Sequence, residues 1–185
     1  MCDFKNPKNI SIANLRAVVG EPSPAPRVEG EAEEPRAEEH TITDSSGTTY
    51  SVRLKRSNDL WDMTVWHNER QVGLANCADH GESLFLGNIE IFSTAAPPAA
   101  AEGEAAEAAA PPYRGRGVGA SLLRFIIAQA RLNGTIQEIT GHLMPQHLQD
   151  KPDLPAWYER RGFEVRMNED GCGGTIRYNL ERNQD

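Results

Sequence analysis

The sequence predicts one domain of mixed α/β (α+β) class, and three observations carry that prediction. Residues 40–92 fall into short runs of strand-like character, mostly alternating apolar and polar and divided by turn residues. Residues 118–130 switch to a helical period. The stretch up to residue 180 then reads strand, short helix and hairpin, so helices follow a block of strands rather than alternating from the start. At 185 residues the chain has the length of one ordinary domain, about 100–200 residues.

The elements follow in order. Residues 41–44 (TITD) and 48–55 (TTYSVRLK) flank Ser45, Ser46 and Gly47, a hairpin signal. Residues 60–67 (LWDMTVWH) and 70–78 (RQVGLANCA) face each other across Asn68 and Glu69, a second hairpin. Trp66 is expected in the core. Residues 83–92 form the next strand; its apolar members Leu84, Leu86, Ile89, Ile91 and Phe92 change phase at Gly87, which predicts a bulge there. Val118, Leu122, Leu123, Ile126, Ile127 and Ala130 then mark the buried stripe of a helix, with Gly134 suited to its left-handed end. Residues 135–143 read as a strand and 154–161 as a short helix stopped by Gly162. Phe163, Val165 and Met167 alternate, and a glycine-rich turn at 171–174 leads to a closing strand through Ile176, Tyr178 and Leu180.

Two segments lie outside this pattern. Residues 1–39 carry net charge −3, and within them 21–39 is rich in proline, glutamate and alanine with Val28 the only large aliphatic side chain. Such a stretch buries too little apolar surface to offset its chain entropy, so a mostly disordered acidic arm is expected. Residues 93–112 (STAAPPAAAEGEAAEAAAPP) also carry −3 and repeat the string AAPP at both ends, a flexible insert in one loop. The 126 residues left suffice for one core of about 100–150 residues.

Charge and composition exclude several classes of function. Of the formal net charge of −8, only −2 falls on the predicted core, and no basic face favours nucleic acid as a partner. No apolar run approaches the roughly 20 residues of a membrane span, so no membrane association is expected. No secretory leader is visible at the N-terminus. Cys2, Cys77 and Cys172 are odd in number and widely spaced, fitting neither a disulfide framework nor a zinc site; they suit a reducing cytoplasm. His142 and His147 stand five apart across Pro145 without a cysteine at ligand spacing, and His67 and His80 lie on or beside strands, so no metal is expected. Arg160 and Arg161 end a helix, where its dipole favours cations, and need no ligand.

The densest chemical signal is residues 113–123 (YRGRGVGASLL), at the entrance to the amphipathic helix. Gly115, Gly117 and Gly119 permit close approach of a ligand to the backbone. The first amides of a helix lack internal partners and sit at the positive end of its dipole. With Arg114 and Arg116 beside them they form a receptor for a diphosphate. The alternative is a tight strand-to-helix turn with two solvated arginines. A Walker A loop is excluded because no lysine follows. A dinucleotide fingerprint at Gly115, Gly117 and Ala120 is formal only, lacking repeated βαβ units.

The string Arg114-x-x-Gly117-x-Gly119 after a strand and at a helix start resembles motif A of the GNAT superfamily of acyl-CoA-dependent N-acetyltransferases. Residues 154–165 (LPAWYERRGFEV), with Tyr158, Gly162 and Phe163, resemble that superfamily's motif B. The resemblance covers about residues 60–180. It implies a mostly antiparallel, centrally splayed sheet with flanking helices, and direct transfer of an acetyl group from acetyl-CoA to an amine of a small molecule or a protein. It places the CoA pyrophosphate on the amides of Arg116, Gly117, Val118, Gly119 and Ala120, and the pantetheine arm along Ile91, Phe92 and Ser93. Tyr158 becomes the acid that returns a proton to the leaving thiolate. A neutral amine is needed for attack, so a base must remove its proton; Glu90, on the strand bordering the cleft, is the candidate, against the reading of an outward strand carboxylate. A non-catalytic acyl-CoA-binding module and a nucleotide-phosphate-binding protein are the rival readings.

The sequence also departs from the family. Residues 44–59 are too short for the helices usual between the first two strands, the loop before motif A carries the 93–112 insert, and the asparagine frequent before the motif B helix is absent. An exposed sheet edge makes a homodimer an open expectation.

Overall fold

The computed structural model describes residues 37–92 and 113–181. They form β1 (Glu38–Thr43), β2 (Thr49–Ser57), β3 (Leu60–His67), β4 (Arg70–Asp79), β5 (Ser83–Ile91), α1 (Val118–Asn133), β6 (Glu138–Leu143), α2 (Pro145–Asp150), α3 (Leu154–Glu159), β7 (Glu164–Met167) and β8 (Gly174–Asn179). The strands make one sheet in the order β1-β2-β3-β4-β5-β6-β8-β7. Only β5 and β6 pair in parallel; the other ladders are antiparallel.

The turns form where the sequence places them. Asn68 and Glu69 both have positive φ, 49° and 65°, the backbone of a tight hairpin whose twist matches its strands. Strand β1 begins earlier than the sequence suggests, at Glu38, because Glu38 and Glu39 reach across to Arg56 and Arg53 of β2 at 2.9 and 3.1 Å. Most of the expected acidic arm and the whole 93–112 insert lie outside the described residues. No helix stands between β1 and β2: a short turn joins them, as the shortness of residues 44–59 requires.

One face of the sheet carries the core. Val52 and Leu54 sit beside Met63 and Val65, followed across the strands by Ala75 and Cys77, Leu84 and Leu86, Ile139, and Ile176 with Tyr178, all buried. Helix α1 lays Leu122, Leu123 and Ile126 on this face, each fully buried, and each such side chain contributes about 1.5–3 kcal/mol through burial. Gly134, at φ 75°, ends α1 in the left-handed conformation.

Three expectations are corrected. The core tryptophan is Trp61, 2% exposed, not Trp66. Trp61, Met63 and Val65 share one face, and the alternation of the strand puts Trp66 on the other, partly exposed beneath the Arg53 guanidinium, 4.7 Å from its ring centre. In the motif B region, residues 145–150 form the short helix α2, opened by Pro145, where the sequence reading had only a segment, and α3 ends at Glu159 rather than residue 161. Cys77 is a free, buried thiol, pushed up to about 12 by burial and the nearby Asp62 charge. No helix among the described residues is long and apolar enough to cross a membrane.

Candidate active site

The site begins with the bulge at Gly87. Asn76 of β4 pairs with Asn88, but Cys77 pairs with Leu86, so Gly87 is the extra residue. Before it, β5 runs beside β6 from Ser83–Glu138 to Leu86–Gly141. Beyond it the two strands no longer pair, while β6 continues against β8 to Leu143. A V-shaped gap therefore opens in the middle of the sheet, as the splayed architecture requires.

Two clefts meet at this gap. The first, about 420 Å³, is lined by Ile89, Ile91, Gly117, Gly119, Trp157 and Tyr158. The second, about 590 Å³, is lined by Asn88, Glu90, His142, His147, Asp150 and again Tyr158. The sequence reading set both histidines aside; the structure brings them to the gap through β6 and α2, a convergence that neither spacing nor periodicity signals. Among the described residues no three metal-ligating side chains gather.

The glycine-rich turn occupies the rim of the first cleft. Gly115 and Gly117 have φ of 82° and 89°. The first hydrogen bond of α1 runs from the Ser121 amide to the Gly117 carbonyl, 3.0 Å. The amides of Val118, Gly119 and Ala120 make no bond of good geometry to a protein acceptor among the described residues, and no side chain caps the helix. They are thus donors in search of an anion, at the positive end of a sixteen-residue helix.

The arginines behave differently from one another. The Arg114 Nε donates to the Ile91 carbonyl at 3.0 Å, holding its guanidinium at the mouth of both clefts. Arg116 is turned the other way, its Nε 3.6 Å from the Asp44 carboxylate. Arg161, which the sequence reading left without a role, lines the first cleft with its guanidinium stacked 3.8 Å from the Trp157 ring. On β5 the Phe92 amide is spent on the Val72 carbonyl, 2.9 Å. Backbone groups alternate along a strand, so Ile89 and Ile91, not Phe92, present theirs to the gap. Ser93 lies outside the described residues. Glu90 is exposed and lines the second cleft.

Tyr158 joins the two clefts. It is 8% exposed and packed edge-on against Trp157 and Phe163, with ring centres 4.8 and 5.3 Å away. Its hydroxyl has no hydrogen-bond partner among the described residues. Burial, and next the neighbouring Cys77, push it up to about 12 despite Arg161, so it remains a phenol and a donor at neutral pH.

Beneath the loop sits a buried carboxylate. Asp44 accepts from the Ser46 amide (2.8 Å) and hydroxyl (2.7 Å), the Thr48 amide (3.0 Å) and the Tyr50 hydroxyl (2.8 Å). Burial alone would raise its carboxyl; these bonds outweigh it and lower it to about 2. An ordinary Asp titrates near 3.9, so between about pH 4 and 2 the unfolded chain binds the proton first and the stability Asp44 provides is lost as pH falls. Thermal midpoints followed over that range are expected to fall less steeply for Asp44→Asn than for the natural chain; identical slopes would show that Asp44 does not carry the linkage.

The family model for the acetyltransferase (GNAT) domain matches residues 63–165, more than half of the chain. The chain belongs to the GNAT acetyltransferase family. Among solved structures, the GNAT domain of S. lividans PAT is similar at 11% identity and TM-score 0.53, covering 76% of this chain and 96% of that one, and the two share a fold. The PaiA N-acetyltransferase of Thermoplasma acidophilum, in complex with coenzyme A, is 13% identical with TM-score 0.47; the likeness covers 65% of this chain but only 61% of that one. An Elizabethkingia anophelis GNAT family acetyltransferase with acetyl-CoA bound is 15% identical with TM-score 0.44, covering 65% of this chain and 76% of that one. No curated protein sequence matches this one. The family's general chemistry is acyl transfer from CoA to an amine.

Proposed function

We propose that this GNAT domain transfers an acetyl group from acetyl-CoA directly to the amine of a small molecule or protein. The observation that carries the reading is the juxtaposition, within one pair of clefts, of a gap in the sheet with three amides and a phenol that have no partner among the described residues. The amides of Val118, Gly119 and Ala120, with those of Arg116 and Gly117, receive the pyrophosphate of the donor, and Arg114 faces the same mouth. The edge of Ile89 and Ile91 that faces the gap takes the pantetheine arm through backbone bonds. The acceptor enters the second cleft. Its nitrogen forms the new C–N bond as the C–S bond breaks; Glu90, directly or through water, takes the amine proton, and Tyr158 delivers a proton to the departing thiolate sulfur. No metal takes part in these steps.

Calorimetry with acetyl-CoA, CoA and ATP tests the donor. Both CoA species are expected to bind and ATP not to; binding of ATP without CoA would overturn the reading. Thiol release from acetyl-CoA across an amine panel then tests transfer. Glu90 is exposed, so water can partly replace it as a route for the proton. Glu90→Gln is expected to lower kcat/KM for the amine about tenfold near neutral pH, below the roughly 10²–10⁴-fold of a fully positioned general base because water replaces part of it. An unchanged kcat/KM would place the base elsewhere.

A further inference from the structure

We infer that the β1–β2 turn is a positioning clamp for the donor loop: Ser45, backed by Asp44, fixes the carbonyl of Arg116 and so turns the following amides into the first cleft. The inference rests on the reading of that loop as the donor site. The clamping residues, Asp44 and Ser45, lie outside the 63–165 stretch that the family model matches.

The clamp is built from bonds that cross more than seventy residues. The Ser45 amide donates to the Arg116 carbonyl at 3.1 Å, and the Ser45 hydroxyl donates to the same oxygen at 2.6 Å. A trans peptide points its C=O and N–H in opposite directions. Holding the Arg116 oxygen against the hairpin therefore aims the Gly117 N–H away from it. The next turn is tied as well, because the Ser121 hydroxyl donates to the Thr43 carbonyl at the end of β1, 2.6 Å. Behind Ser45, one Asp44 oxygen closes the turn through Ser46 and Thr48, while the other takes the Tyr50 hydroxyl and faces Arg116. Arg116 is thereby occupied by a carboxylate, which makes it a positioning residue rather than a phosphate ligand through its side chain. Where the family usually builds helices between its first two strands, this chain has a turn short enough to lean on the loop.

Ser45 is exposed, so removing its hydroxyl leaves the fold intact. Ser45→Ala is expected to raise the Kd for CoA and the KM for acetyl-CoA about fivefold, the worth of one hydrogen bond, at low and at high salt alike. The kcat at saturating donor and the KM for the amine should stay unchanged, a split that general destabilisation does not produce. Ser45→Thr keeps the hydroxyl and should restore the natural Kd. The clamp is overturned if Ser45→Ala binds CoA like the natural chain, or if Ser45→Thr is as weak as Ser45→Ala while both melt normally. Failure of the unmutated chain to bind CoA would instead overturn the donor reading.

Discussion

Replacing Tyr158 by phenylalanine is expected to lower kcat about 10²-fold, within the range ascribed to a positioned general acid, while leaving the Kd for CoA and the melting temperature unchanged. The prediction is sharp because the hydroxyl contributes nothing visible to stability. Its ring is held by Trp157 and Phe163, contacts that phenylalanine keeps. Its oxygen has no partner among the described residues, so deletion leaves none of their donors or acceptors stranded; had it been bonded in the core, the same change would cost about 1 kcal/mol. Retention of the proton up to about 12 means that the group is loaded as a donor throughout the physiological range. Thiol release measured at saturating acetyl-CoA reads the effect directly. Turnover equal to that of the natural chain removes Tyr158 from the mechanism; a lower melting point with lost CoA affinity assigns it to packing.

The sheet was legible because its signals are local. Hairpin turns announce themselves through residues that accept positive φ, such as Gly47, Asn68 and Glu69. Gly87 announces the bulge by reversing the phase of Leu84 and Leu86 against Ile89 and Ile91, and that one residue decides where the sheet parts. The α1 stripe and the glycines before it were equally plain. What stayed hidden depends on contacts distant in sequence. Nothing near Asp44 or Ser45 says that their turn reaches Arg116, and the arginine was therefore grouped with its sequence neighbour Arg114 as an anion ligand. His142 and His147 gained meaning only from the return of β6 and α2 to the gap. The misplacement of Trp66 has a different origin: it stands an odd number of residues from Trp61, Met63 and Val65, and alternation along the strand puts it on the opposite face.

Replacing Gly117 by valine is expected to weaken CoA binding by at least about 10²-fold, the largest change in affinity foreseen, while α1 survives. Gly117 stands at φ 89°, where a residue with a Cβ costs about 1–2 kcal/mol and a β-branched one more. A Cβ there would also meet Ser45, 3.2 Å from its hydroxyl oxygen and 3.4 Å from its amide nitrogen. Because Ser45 is tied to the adjacent carbonyl, relief of either strain requires the loop to rotate or pull away from the hairpin. Both movements re-aim the amides that open the helix. The helix itself is secured elsewhere, by Leu122, Leu123 and Ile126 in the core, so helical circular dichroism should persist. Gly115 supplies the contrast: its φ of 82° is as unfavourable, but a Cβ there meets nothing within 4 Å, so Gly115→Ala should lose some stability and much less affinity. Calorimetric titration of both variants with CoA separates strain from site geometry. If Gly117→Val binds CoA as the natural chain does, the amides at the head of α1 are not where the donor is held.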